Sequence, residues 1–81
     1  MDTRVAIIAI IAHGSGSAQE INALLHDYAD YIIGRMGLPY REKEMNIISV
    51  AIDAPQDKIN TLAGRIGRIE GVTAKILYSP A

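Results

Sequence analysis

The chain predicts an α+β sandwich in which a four-stranded antiparallel sheet carries two helices on one face, in the order β-α-β-β-α-β. Three observations lead there. Thr3 to Ala12 (TRVAIIAIIA) is rich in β-branched residues and contains an unbroken apolar run from Val5 to Ala12. Two later segments carry apolar residues at helical spacing: Ile21, Leu24, Leu25 and Tyr28, then Ile59, Leu62, Ala63 and Ile66. Finally, the segment INALL at 21–25 returns as INTLA at 59–63, so the chain reads as two related β-α-β halves. Two such halves build a ferredoxin-like sandwich. Right-handed crossovers put both of its helices on the same side of the sheet.

Each element has a local reason. Thr3 to Ala12 is too short to span a bilayer and reads as a buried strand. After the loop His13-Gly14-Ser15-Gly16, the sequence Ser17-Ala18-Gln19-Glu20 has the S-x-x-E form of a capping box and opens the first helix. Tyr31 to Pro39 is the second strand, and the charged run Arg41-Glu42-Lys43-Glu44 is its hairpin turn. Met45 to Ala54 is the third strand, with Ile48, Val50 and Ile52 on one side. Pro55 suits the first position of the second helix, where its missing N–H costs nothing. A short irregular piece at 67–70 leads to Gly71, which ends the helical segment, and Val72 to Tyr78 is the last strand.

Composition narrows the function. Eighty-one residues make one domain, spanning 1–81. A chain this short buries only about 60–65% of its unfolded surface. A formal net charge of −1 and the absence of Phe and Trp remove both the basic field and the stacking platform of a nucleic-acid binder, so no direct nucleic-acid contact is expected. With no cysteine there are no disulfides, iron–sulfur ligation or thiolate metal sites. His13 and His26, in separate elements, are a poor metal-ligand set. We therefore expect no cofactor, no metal and no membrane partner, and a cytoplasmic location.

The first strand is apolar on both sides. Val5, Ile7, Ala9 and Ile11 alternate with Ala6, Ile8 and Ile10, and two helices can cover only one of these sets. Exposed aliphatic patches of that size are unusual on a monomer. The expectation is a homo-oligomer, dimer or tetramer, in which the open sheet face or an edge strand packs on another subunit.

Candidate site residues fall in two places. The loop Gly14, Ser15 and Gly16 leads into a helix start, where free N–H groups favour an anion, although it lacks the lysine and length of a P-loop. The stretch YIIGRMGLPYREKE at 31–44 combines Gly34 and Gly37 with Arg35 and Arg41. Glycine in a strand marks a bulge or the close approach of another group, and arginine pairs with carboxylates or phosphates. Arg35 and Arg41 are thus the candidate anion anchors, with Gly14, Ser15 and Gly16 lining an alternative site. The same arginines and glycines, with Gly64, Arg65, Gly67 and Arg68, also fit close packing and pairing to Asp27, Asp30, Glu42 or Glu44. No nucleophile–base pairing is suggested, so no catalytic residue is assigned.

The segments DTRVAIIAII, LLHDYADYIIGRMGLPYREKEMNIISVAIDAPQD and LAGRIGRIEGVTAKILYS together resemble the iron-only hydrogenase system regulators, small proteins of ACT-like, ferredoxin-type fold. The most specific pieces are IIGRMGLPYRE at 32–42 and LAGRIG at 62–67, followed by Gly71-Val72. The resemblance implies a non-enzymatic regulatory role tied to iron-only hydrogenase. It also implies binding of a small-molecule effector between subunits, and action through a protein partner rather than a DNA-binding domain of its own. Two other readings stay open: a small dimeric ferredoxin-like enzyme using Tyr40 in a cleft, or a structural assembly partner for hydrogenase maturation.

Overall fold

The computed structural model describes residues 2–14 and 16–80. Strand β1 (Arg4–His13) is followed by helix α1 (Ala18–Asp27), a 3-10 turn at Ala29–Tyr31, strand β2 (Ile32–Tyr40), a second 3-10 turn at Arg41–Lys43, strand β3 (Met45–Ala54), helix α2 (Gln56–Gly67) and strand β4 (Val72–Tyr78). The sheet runs β2-β3-β1-β4 with every neighbouring pair antiparallel, so β1 and β3 are central and β2 and β4 are the edges.

Period-two alternation in β1 divides the sheet into two faces. Ala6, Ile8, Ile10 and Ala12 are buried, whereas Val5, Ile7, Ala9 and Ile11 are exposed. The buried set packs with Val50, Ile52 and Ala54 of β3, and with Ile21 and Leu25 of α1 and Ile59, Leu62, Ala63 and Ile66 of α2. Both helical stripes expected from the sequence thus face the same side of the sheet. Leu24 and Tyr28 complete the α1 stripe as partly buried residues at the margin of the core.

At the far end of the sheet Arg4 binds three elements together. Its guanidinium lies 4.2 Å from the centre of the Tyr78 ring and donates to Gln56 Oε1 and to the Ser79 carbonyl, both at 3.2 Å. The Tyr78 hydroxyl in turn donates to Asn60 Oδ1 on α2 at 2.6 Å. At the other end, the His13 N–H donates to the Gly71 carbonyl and the Gly14 N–H to the Glu44 carbonyl, both at 2.8 Å. These bonds fasten the loop after β1 to β4 on one side and to the β2–β3 turn on the other.

Several local expectations are corrected. The Ser17–Glu20 capping box does not form. Ser17 has helical dihedrals (φ −91°, ψ −11°) and its side chain makes no capping hydrogen bond. An N-cap needs an extended backbone to turn its oxygen toward the free N–H groups. Pro55 sits one position earlier than expected: it is the N-cap of α2, with extended ψ of 141°, and its carbonyl accepts from Lys58 and Ile59. Strand β1 runs one residue further, through His13, and β2 is shifted by one, because Tyr31 belongs to the 3-10 turn. The hairpin turn is itself 3-10 and closes on Glu44 in the left-handed region (φ 51°, ψ 47°). Tight packing does not explain Gly64: a Cβ built there meets nothing within 4 Å. Gly71 is the opposite case. Its φ is +79°, and a Cβ would lie 3.2 Å from the His13 carbonyl oxygen.

Candidate functional site: three hollows and an open sheet face

Strand β2 makes the site. Pairing places Arg35, Gly37 and Pro39 opposite Val50, Ile48 and Asn46, on the side where the helices lie. None of the three is a large apolar residue, so α1 has nothing to pack on there and a gap remains between them. Arg35 bridges it, its Nη2 donating to Asn22 Oδ1 of α1 at 2.7 Å. The bridge separates two clefts. One, of about 230 Å³, has Ala12, Ile21 and Ile48 as an apolar floor with Asn46 at its rim. The other, of about 270 Å³, lies toward Leu25, His26 and Ile32.

Arg41 is elsewhere. It lies in the 3-10 turn at the end of the hairpin and lines an open hollow of about 450 Å³ together with Gly14, Tyr40, Glu44, Met45 and Asn46. The hollow exists because Gly14 adopts a φ of +81° and carries the chain across to the Glu44 carbonyl. Gly14 and Arg41, assigned from the sequence to different sites, therefore share one. Arg35 and Arg41, assigned to the same site, line different hollows.

Gly16 faces a third region of about 430 Å³ with His13, Ser17, Glu20, Glu70 and Gly71. Glu20 and Glu70 put two carboxylates beside Gly16, whereas Gly14 lines the hollow with Arg41 and Glu44, so the glycines of the loop face different surroundings. Ser15 lies outside the described residues. His13 and His26 line different hollows, and among the described residues no group of three or more His, Cys, Asp or Glu side chains is placed to hold a metal ion.

The second feature is the sheet face away from the helices. Register assigns it Val5, Ile7, Ala9 and Ile11 of β1; Met45, Ile47, Ser49, Ala51 and Asp53 of β3; Gly34, Met36, Leu38 and Tyr40 of β2; and Thr73, Lys75 and Leu77 of β4. Every exposed large hydrophobic residue of the described chain belongs to it except Ile33. Ile33 is the extra residue of a β-bulge between Ile32 and Gly34, and is 64% exposed. The sequence pointed to this face only through β1. Leu77, Met36 and Ile47 join it through the strand order, which brings both edges alongside. Asn22 was missed too: nothing local to α1 signals that it meets Arg35.

Comparison with known proteins agrees with this architecture. The model of the TM1266-like family, described as an iron-only hydrogenase system regulator (a role the family description itself gives as conjectural), matches residues 4–76. The chain belongs to this family. It is similar to the solved structure of the uncharacterized protein TM1266 from Thermotoga maritima at 32% sequence identity and a TM-score of 0.92, covering 98% of this chain and 100% of that one. A formyltetrahydrofolate deformylase from Pseudomonas putida KT2440 shares the fold at 16% identity and a TM-score of 0.68. That match covers 94% of this chain but only 29% of the deformylase. Comparison with curated proteins gives no significant match. Among the described residues no helix is long and apolar enough to cross a membrane.

Proposed function

We propose that this family member is a single-domain, non-catalytic regulatory module of the iron-only hydrogenase system that works as a homo-oligomer and binds a small effector. The observation that carries the reading is the concentration of exposed aliphatic side chains on one sheet face. Removing each large side chain from water is worth about 1.5–3 kcal/mol when burial is complete. A regulator built on association gains from such a face, because an effector that binds two assembly states differently shifts their balance.

The effector site best supported is the hollow at the hairpin end. Arg41 supplies a cation, Glu44 a carboxylate, Asn46 an amide, and Tyr40 an aromatic wall with a hydroxyl. This set suits a small amino acid, whose carboxylate can accept two parallel hydrogen bonds from the guanidinium while its ammonium group faces Glu44. The hollow also touches Met45 and Tyr40, which pair with each other and stand on the open face. Occupancy of the hollow would thereby be felt by the assembly. With a formal charge of −1, action through a protein partner is favoured over direct contact with nucleic acid.

The reading is tested by a thermal-shift screen of amino acids and small organic acids on the assembled protein. A binder at a hundred times its Kd adds about 2.7 kcal/mol of stability, and Arg41→Ala abolishes that response while leaving the unliganded melting temperature in place. If no compound raises the melting temperature, the effector part of the proposal fails. Light scattering at micromolar concentration tests the oligomer separately, and a monomer there removes it.

A further inference from the structure

We infer that the open face is self-complementary about a two-fold axis parallel to its strands, so that two copies stack face to face with β2 over the partner's β4 and β3 over the partner's β1. The inference rests on the oligomeric reading above and adds the geometry of the contact. It comes from the residue sizes along each row of the face.

One row reads Gly34, Ala51, Ile7, Leu77 from the β2 edge to the β4 edge, rising steadily in size. The stated axis reverses the row in the second copy. The partner's Leu77 then sits on Gly34, and the partner's Ile7 on Ala51. Leu77 is the most exposed large hydrophobic residue of the described chain, at 70%. Gly34 borders the bulge at Ile33, but it has nothing within 4 Å of the place where a Cβ would stand and its φ is not in the left-handed range, so the chain itself leaves room for a side chain there. A knob without a hole and a hole without a knob, at opposite edges of one row, fit each other only across a symmetry axis.

The row Leu38, Ile47, Ile11, Thr73 sets Leu38 on the partner's Thr73, a smaller residue, at each edge and brings Ile47 and the partner's Ile11 together as an apolar pair at the centre. The row between them is Met36, Ser49, Ala9, Lys75. Its small centre leaves a gap that the flexible Met36 thioether can enter from the edge. Isologous dimers require this self-matching of one patch. Aligned sheets stack about 10 Å apart, which suits pairs of one large and one small side chain.

A second axis, perpendicular to the strands through the middle row, would also match sizes, placing Gly34 on the partner's Leu38. It sets Lys75 directly on the partner's Lys75, a like-charge contact that specific interfaces avoid. The parallel axis instead lays Lys75 along the partner's Met36, at the rim, where the ammonium stays in water and its stem covers apolar surface.

Absence of cysteine makes the test clean. Gly34 and Leu77 of one chain lie three strand spacings apart, about 14 Å, whereas facing positions of stacked sheets are about 10 Å apart, beyond the reach of a direct disulfide but within that of a short bifunctional thiol cross-linker. Gly34→Cys with Leu77→Cys is expected to give a covalent dimer with a bis-maleimide of about that span, and Gly34→Cys with Leu38→Cys is expected to stay unlinked. Gly34→Leu should weaken association roughly tenfold or more, and Gly34→Leu with Leu77→Gly should restore it. A 34–38 link without a 34–77 link, or a Gly34→Leu protein that still dimerises at the unmodified concentration, overturns the arrangement. Light scattering separates the two claims: a dimer lacking the 34–77 link leaves the oligomeric reading standing and removes only this axis, whereas a monomer removes both.

Discussion

The two faces of strand β1 are built from the same kinds of aliphatic residue and differ in what covers them. Ile8 and Ile10 point toward the helices and are fully buried, while their neighbours Ile7 and Ile11 point the other way and remain about two-fifths exposed. On the covered face every large side chain meets its partners within the chain. On the open face the chain supplies knobs and holes that have no counterpart in the same copy. Both helices lie on one side of the four-stranded sheet and leave the other unclad; the proposed contact between copies would supply the missing layer.

The largest effect that could break this comparison is a core truncation. Ile10→Ala removes a fully buried side chain between both helices and should destabilise the fold by about 2–5 kcal/mol, read as a fall in the urea midpoint. Ile11→Ala, one residue along, should leave a dissociated chain nearly as stable as before and act on association instead. Equal losses in dilute protein would mean that the two faces are not different in kind. Next in size is Ile47→Lys in the middle of the open face. It should convert the assembly to monomer by light scattering, because a buried ammonium without a partner is too costly to hold, while the far-UV circular dichroism of the chain is preserved.

Glycines sharpen the same contrast. Gly71 has a reason inside the chain, a positive φ and a carbonyl 3.2 Å from any Cβ. Gly71→Ala should cost roughly 1–2 kcal/mol in every assembly state. Gly64 has neither constraint, and it stands in the interior of α2 on an exposed position. Gly64→Ala should raise stability by up to about 1 kcal/mol, unless a partner packs against that helix, in which case the gain in the dilute chain is offset by weaker binding. Melting curves across a protein-concentration series distinguish the two.

The fold was legible in the sequence because it rests on periodicity. The β-branched apolar run in TRVAIIAIIA and the 3.6-residue stripes of Ile21–Tyr28 and Ile59–Ile66 identify the first strand and both helices without knowing their neighbours. The candidate site was legible only in part, because it depends on which side of the sheet a residue faces. Arg35 and Arg41 are close in sequence, but Arg35 lies within β2 facing α1, whereas Arg41 has already left the strand into a turn. Gly34 hints at a bulge in YIIGRMGLPYREKE, but nothing there tells that Ile33 is the extra residue, which resets the alternation for the rest of that strand. Gly14 meets Arg41 only because β1 and the hairpin end side by side, a consequence of strand order.

The smallest predicted effect probes the one polar residue buried on the covered side. Ser17 is 5% exposed, and its hydroxyl has no hydrogen-bond partner. As a true N-cap it would lose about 1 kcal/mol on replacement by alanine. Here the cap bond is absent, and the hydroxyl is already desolvated without compensation, a condition that costs about 1–3 kcal/mol. Ser17→Ala should therefore be neutral or slightly stabilising, with the melting temperature unchanged or raised by a few degrees. A clear loss of stability would show that the hydroxyl does cap α1 in solution, and that the helix start is organised as the S-x-x-E pattern expects rather than as the helical dihedrals of Ser17 require. The result would also bear on the third hollow, where Ser17 lies beside Glu20 and Glu70: a hydroxyl that caps the helix accepts through its oxygen and keeps its hydrogen free to donate there.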